Sequence, residues 1–121
     1  MNSVPSLDTF IASALLSEVS KNSWVEEPGF DALYVRISRR ILEGSTLKKT
    51  LDIATVEASC PGEGTFTKLV ERLKETYPEL PIYVENVLNA RFVGLLTRLG
   101  FKPHAHLPMS FYYIKEKQHV G

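Results

Sequence analysis

Leu51-Asp-Ile-Ala-Thr-Val-Glu-Ala-Ser-Cys-Pro-Gly-Glu-Gly-Thr-Phe66 reads in three parts: a β-branched strand, a short loop of glycine and proline, and the first turn of a helix. The first amides of a helix have no partner within it. Where a strand empties into a glycine-rich loop at a helix start, those amides point one way and the helix dipole adds partial positive charge. Such a place suits a phosphate or pyrophosphate. Gly62 and Gly64, with Glu63 between them and Thr65 and Phe66 opening the helix, are the candidate anion-binding residues. Gly-x-Gly alone is a weak motif, so the chain on either side decides which phosphate ligand it serves.

Upstream, Ser6 is placed to cap a helix with Asp8 in its first turn. Leu7, Phe10, Ile11, Leu15 and Val19 fall at helical spacing and predict an amphipathic helix over 7–20. The stretch 21–29 is read as the helix end and a loop, with Trp24 and Phe30 as core lids in preference to a recognition surface. Over 32–38 the pattern alternates, with Leu33, Val35 and Ile37 on one face and Tyr34, Arg36 and Ser38 on the other, which predicts a half-covered strand. Gly44, between the basic pairs Arg39-Arg40 and Lys48-Lys49, turns it back as a hairpin. The returning strand, 49–58, carries apolar residues on both faces and is expected to be central and covered on both sides.

Downstream, Phe66, Leu69, Val70 and Leu73 predict a helix over 65–76, stopped by Tyr77-Pro78 and Pro81. Ile82, Tyr83 and Val84 form a short buried strand, and strand, helix, strand in succession predicts a parallel crossover. Phe92, Leu95, Leu96 and Leu99 place a helix over 89–99, with Gly100 as its left-handed cap. Two closing strands are expected over 101–106 and 109–115, and residues 1–5 and 117–121 are read as loose ends. This order predicts one α/β (α+β) domain over 1–121 with a mixed sheet.

Composition narrows the classes. With 121 residues, 44% apolar and 23% charged, the chain has the make-up of one globular domain. Fourteen basic residues balance 14 acidic ones, which argues against a dedicated nucleic-acid binder. No apolar run approaches the roughly 20 residues that span a bilayer, so no membrane partner is expected. The start lacks the pattern of a signal peptide, which points to the cytoplasm. Cys60 is the one cysteine; no disulfide and no metal spacing follow from it.

Two stretches then resemble the GNAT superfamily of N-acetyltransferases, and are similar to its small phage-encoded members. The first is the strand followed by Cys60-Pro-Gly-Glu-Gly-Thr-Phe66 and a helix, which resembles the family's acetyl-CoA loop, written Arg/Gln-x-x-Gly-x-Gly/Ala. The second is Asn89-Ala-Arg-Phe-Val-Gly-Leu-Leu-Thr-Arg-Leu-Gly-Phe101, where an asparagine and a helix lead into Gly-Phe as in the family's later motif. The resemblance implies a compact fold with helices on both faces of the sheet and splayed central strands. It implies acetyl-CoA (CoA) as cofactor, with the pantetheine arm against exposed backbone near Thr55, Val56 and Glu57. The pyrophosphate would lie on the amides of Gly62, Glu63, Gly64, Thr65 and Phe66. Asn89 would bond the pantetheine arm, and Phe92 would pack beside it. A homodimer and, for a phage protein, a host-protein partner in the host cytoplasm belong to the same expectation.

The chain departs from the pattern at two positions. Ser59 stands where the loop has Arg or Gln, so a charged phosphate contact is missing; Lys68 and Arg98 are the candidates to replace it. Leu96 stands where a tyrosine commonly protonates the departing thiolate. Acetyl transfer needs a neutral amine, a polarised carbonyl and a proton for the leaving group. Glu57 is the first candidate base and Glu85 the second, with Asn86 beside it. Tyr112 or Tyr113 is a substitute acid against a packing role. His104 and His106 are expected on one face of a strand, as a base or as structural groups. Cys60 is read as a loop residue in preference to an acyl carrier. Two functional readings stand: an acetyl-CoA-dependent N-acyltransferase acting on a small-molecule or protein amine, and a catalytically weak GNAT-fold CoA-binding protein that acts by protein contact. A phosphate-ligand module unrelated to CoA is a third.

Overall fold

Apolar residues two apart build the sheet, and those three or four apart build the helices that cover it. The computed structural model describes residues 4–44, 47–107 and 109–115. In chain order the elements are α1 (Leu7–Leu15), β1 (Lys21–Trp24), β2 (Phe30–Arg40), β3 (Lys48–Ala58), α2 (Thr65–Thr76), β4 (Ile82–Val84), α3 (Ala90–Arg98), β5 (Lys102–Pro103) and β6 (Phe111–Tyr113). The strands form one mixed sheet in the order β1-β2-β3-β4-β6-β5. β3 and β4 are the parallel pair, and the other neighbours are antiparallel. The α/β class, the hairpin of β2 and β3, and the parallel crossover through α2 are as the sequence predicts.

All three helices lie on one face of the sheet. Leu33, Val35 and Ile37 of β2 line up with Leu51, Ile53, Ile82, Val84 and Phe111. Leu7 and Ile11 of α1, Phe66 and Leu73 of α2 and Leu96 of α3 belong to that same buried cluster. Asp8 of α1 accepts from Arg72 and Tyr77, and the Lys74 ammonium donates to the Leu99 carbonyl at the end of α3. The expectation of helices on both faces is therefore corrected. The alternate residues Tyr34, Arg36, Ser38, Arg40, Asp52, Tyr83 and Tyr112 offer no apolar stripe for a helix to cover. They cover that face with their own side chains, and Asp52 is fully buried there.

Several local expectations change as well. α1 stops at Leu15, where the Leu16 amide bonds the Ser13 carbonyl; the Ser17 hydroxyl then makes a turn with Val19, which leaves Val19 exposed. Residues 21–24 form the edge strand β1, which pairing with β2 creates despite weak strand propensity. Trp24 is 52% exposed, against the core-lid reading, and packs edge-on to Tyr34 at 5.0 Å. Pro5 is tied down, since its carbonyl accepts from Glu26. The closing strands shrink to β5 and β6, and His104 falls beyond β5. The expected loose ends at 1–3 and 117–121 lie outside the described residues.

β3 and β4 pair only over Leu51–Ile53 with Ile82–Val84. One more rung follows, Glu85 N–H to the Ile53 carbonyl at 3.2 Å. Asn86 then takes a left-handed φ of 54° and the chain leaves the sheet, with Val87 N–H donating to the Met109 carbonyl. β3 continues through residues 54–58 paired with β2 alone, so the two central strands part beyond that rung.

Candidate functional site

The parted end of β3 runs directly into the glycine loop. Gly62 and Gly64 both sit at positive φ, 90° and 74°, a conformation that costs side-chain-bearing residues about 1–2 kcal/mol. A Cβ at either would meet nothing within 4 Å, so the loop presents bare backbone to open space. Gly64 is the N-cap of α2 and makes no side-chain capping bond. The first amides of α2 are thus left for an outside acceptor.

An open hollow of about 330 Å³ lies against this loop, lined by Ala58, Gly62, Gly64, Phe66, Arg91 and Arg98 among others. It joins the end of β3, the start of α2 and one side of α3. Arg91, Leu95 and Arg98 stand at i, i+4 and i+7, one stripe of a helix. That spacing was available in the sequence and could have identified Arg91 together with Arg98. Lys68, the other expected substitute for a loop cation, is not among the residues lining the hollow. Ser59 turns away from a ligand role: its hydroxyl donates to Asp31 at 2.7 Å and its amide to the Gly29 carbonyl.

The other predicted residues are distributed as follows. Thr55 and Glu57 are exposed on the length of β3 that pairs with β2 but not with β4, with Val56 half-buried between them. A bulge against Tyr34 and Val35 interrupts the register just before them. Phe66 and Phe92 meet edge-on at 4.9 Å and join α2 to α3 beside the hollow. Asn89 is the N-cap of α3, its side-chain oxygen accepting from the Arg91 amide at 2.8 Å. One lone pair of that oxygen is engaged within the chain, and the amide NH2 is the group left to donate to a ligand. Leu96 is fully buried in the core, so its position does not face the hollow. Cys60 is exposed at the rim.

Glu85 lies across the sheet from the hollow, in a network of charges. One carboxylate oxygen meets Arg36 at 2.9 Å and Arg40 at 3.3 Å. Arg40 also holds the buried Asp52 carboxyl with two bonds of 2.9 Å, and Ser38 adds a third at 3.1 Å. Burial pushes the Asp52 carboxyl above its ordinary range, and the bonds from Arg40 and Ser38 offset this only in part. The Arg40 guanidinium also stacks 4.0 Å above the Tyr83 ring. His104 packs against Tyr83, Tyr112 and His106; burial, then His106 and Arg40, lower its pKa. Burial and the bond to Glu43 push the Tyr112 hydroxyl up to about 12. Tyr113 faces the helices instead, under the Lys74 ammonium. Among the described residues no group of His, Cys, Asp and Glu is arranged to hold a metal ion, and no helix is long and apolar enough to cross a membrane.

No protein-family model and no curated protein matches the chain. A solved structure, "The crystal structure of KacTA-DNA complex", is similar at 18% identity and a TM-score of 0.48, covering 88% of this chain and 77% of that one. A likeness of that degree assigns no function.

Proposed function

We propose that the chain is an acetyl-CoA-dependent N-acyltransferase that acetylates an amine. The observation that carries this reading is the continuity of β3 residues 54–58, whose edge toward β4 is free while the other pairs with β2, with a bare glycine loop and an uncapped helix start. A pyrophosphate fits the amides from Gly62 to Phe66, and Arg91 and Arg98 supply the positive charge absent at Ser59. The free backbone edge near Thr55, Val56 and Glu57 suits the amides of a pantetheine arm. Bound acetyl-CoA supplies an acetyl group activated as a thioester. The exposed Glu57 carboxylate would accept the proton of the attacking amine, directly or through water, as the new N–C bond replaces the thioester C–S bond and CoA leaves as its thiolate, to be protonated from solvent. Titration calorimetry with acetyl-CoA and CoA tests the reading: saturable binding that ATP does not displace is expected, and no binding at millimolar cofactor overturns it.

Two observations favour a second reading, a CoA-binding protein with little or no turnover that acts through protein contact. Leu96, at the position where the resembled motif has its proton-donating tyrosine, is buried in the core and supplies no donor, and Glu85 is occupied by two arginines. CoA binding without acetyl transfer to a panel of small amines and peptides, with a protein partner recovered in a pull-down, would select it.

A further inference from the structure

Beyond the Glu85 rung the two central strands have no bond between them, so whatever holds that rung sets where the gap begins. A single 3.2 Å bond at the end of a three-residue strand would fray by itself. The Glu85 side chain reaches over β3 to the two arginines of β2, while β3 contributes the buried Asp52 beneath them. Two cations and two anions thus join three adjacent strands at the level where β3 and β4 part. Largely buried ion pairs of this kind add little net stability, because desolvation offsets the attraction, but they can select one conformation. Asn86, among the residues best able to adopt positive φ, turns the chain away immediately after the clamped residue.

From this geometry we infer that Glu85 is a positioning residue: clamped by Arg36 and Arg40, it holds the last rung between β3 and β4 and fixes the gap that receives the pantetheine arm. The role in cofactor binding rests on the function proposed above; the role in holding the rung does not. The test is Glu85→Gln, which keeps the shape and removes the charge. Asp8→Asn, on the opposite face of the sheet, serves as the control for a general loss of stability. Hydrogen exchange read by NMR at the Glu85-position amide is expected to accelerate about tenfold or more in Glu85→Gln and to stay unchanged in Asp8→Asn. The CoA dissociation constant is expected to rise about tenfold in Glu85→Gln alone. Unchanged exchange at that amide overturns the inference. Faster exchange with unchanged CoA affinity overturns the link to the gap, and a loss of turnover at unchanged affinity would make Glu85 a base. If the wild-type protein binds no CoA, the function proposed above fails, and the exchange measurement still decides whether Glu85 holds the rung.

Discussion

Gly29 is where one hydrogen atom matters most. Its φ is 92°, and a Cβ there would stand 2.5 Å from the Thr65 methyl. Its carbonyl accepts from Ser59, so the residue holds the entrance of β2 against the exit of β3 and the start of α2. Gly44 has a similar φ, 70°, but open space around it. Gly44→Ala is expected to cost about 1–2 kcal/mol from backbone strain alone. Gly29→Ala should cost at least about 1 kcal/mol more, because it adds a clash to that strain. Urea unfolding of the two variants measures the difference; equal losses would mean that Thr65 moves aside freely. Leu96 gives a second expectation at this scale. Introducing a tyrosine by Leu96→Tyr places a phenol in a fully buried site. It should destabilise the fold by about 1–3 kcal/mol through overpacking without raising acetyl transfer, and a gain in turnover would count against the placement.

Among the elements, α1 is held at both ends by polar bonds. The Lys49 ammonium closes its last turn by donating to the Leu15 and Ser17 carbonyls. At its start, Ser6 caps the helix, and Asp8 accepts from Tyr77 at 2.7 Å and from Arg72 at 2.9 and 3.0 Å. The Tyr77 hydroxyl, together with Arg72, holds the Asp8 carboxyl below its ordinary value of 3.8 although burial opposes this. Burial and the same bond push Tyr77 up to about 12. Because the folded pKa of Asp8 is depressed, its contribution is fully present above the unfolded value and is lost as pH falls through 3.8 toward the folded one. Asp8 is half exposed, so solvent screening keeps the contribution to about 1 kcal/mol or less. Asp8→Asn should lower the midpoint of thermal unfolding at pH 7, and the gap from the wild type should close below about pH 4. A gap that persists unchanged at pH 3 would contradict the assignment.

At the scale of the whole molecule, the sheet separates two chemistries. One face is covered by three helices over a continuous apolar core; the other carries the charges that join β2, β3 and β4. Elements with strong local signals were legible in the sequence: α2 over Thr65–Thr76 and β4 over Ile82–Val84 fall at the predicted residues, because spacing and proline breaks mark them. Gly100 caps α3 at a φ of 93°, as its position after Leu99 suggests. β1 was not legible, since Lys-Asn-Ser-Trp becomes a strand only by pairing with β2. The glycine loop between β3 and α2 was legible from Gly62 and Gly64 together with the strand before it and the helix after it. The roles of Asn89 as a helix cap and of Glu85 as a clamped carboxylate were not, because each depends on a neighbour brought up by folding.

By itself, then, the chain determined the periodic elements, the glycine loop and the α/β class, all properties of residues within a few positions of one another. Only the tertiary structure decided that the helices share one face and where β3 and β4 part. The same is true of the two arginines of α3 beside the loop and of the charge pairs around Glu85. These depend on contacts between residues far apart in sequence, such as Arg36 with Glu85, and local spacing carries no information about which distant charges will meet. The stretch from Leu51 to Phe66 was recognisable as a strand opening into a glycine loop at a helix start. That the edge of the strand facing β4 is left without a partner just before the loop is a consequence of β4 ending at Val84 and Asn86 turning away.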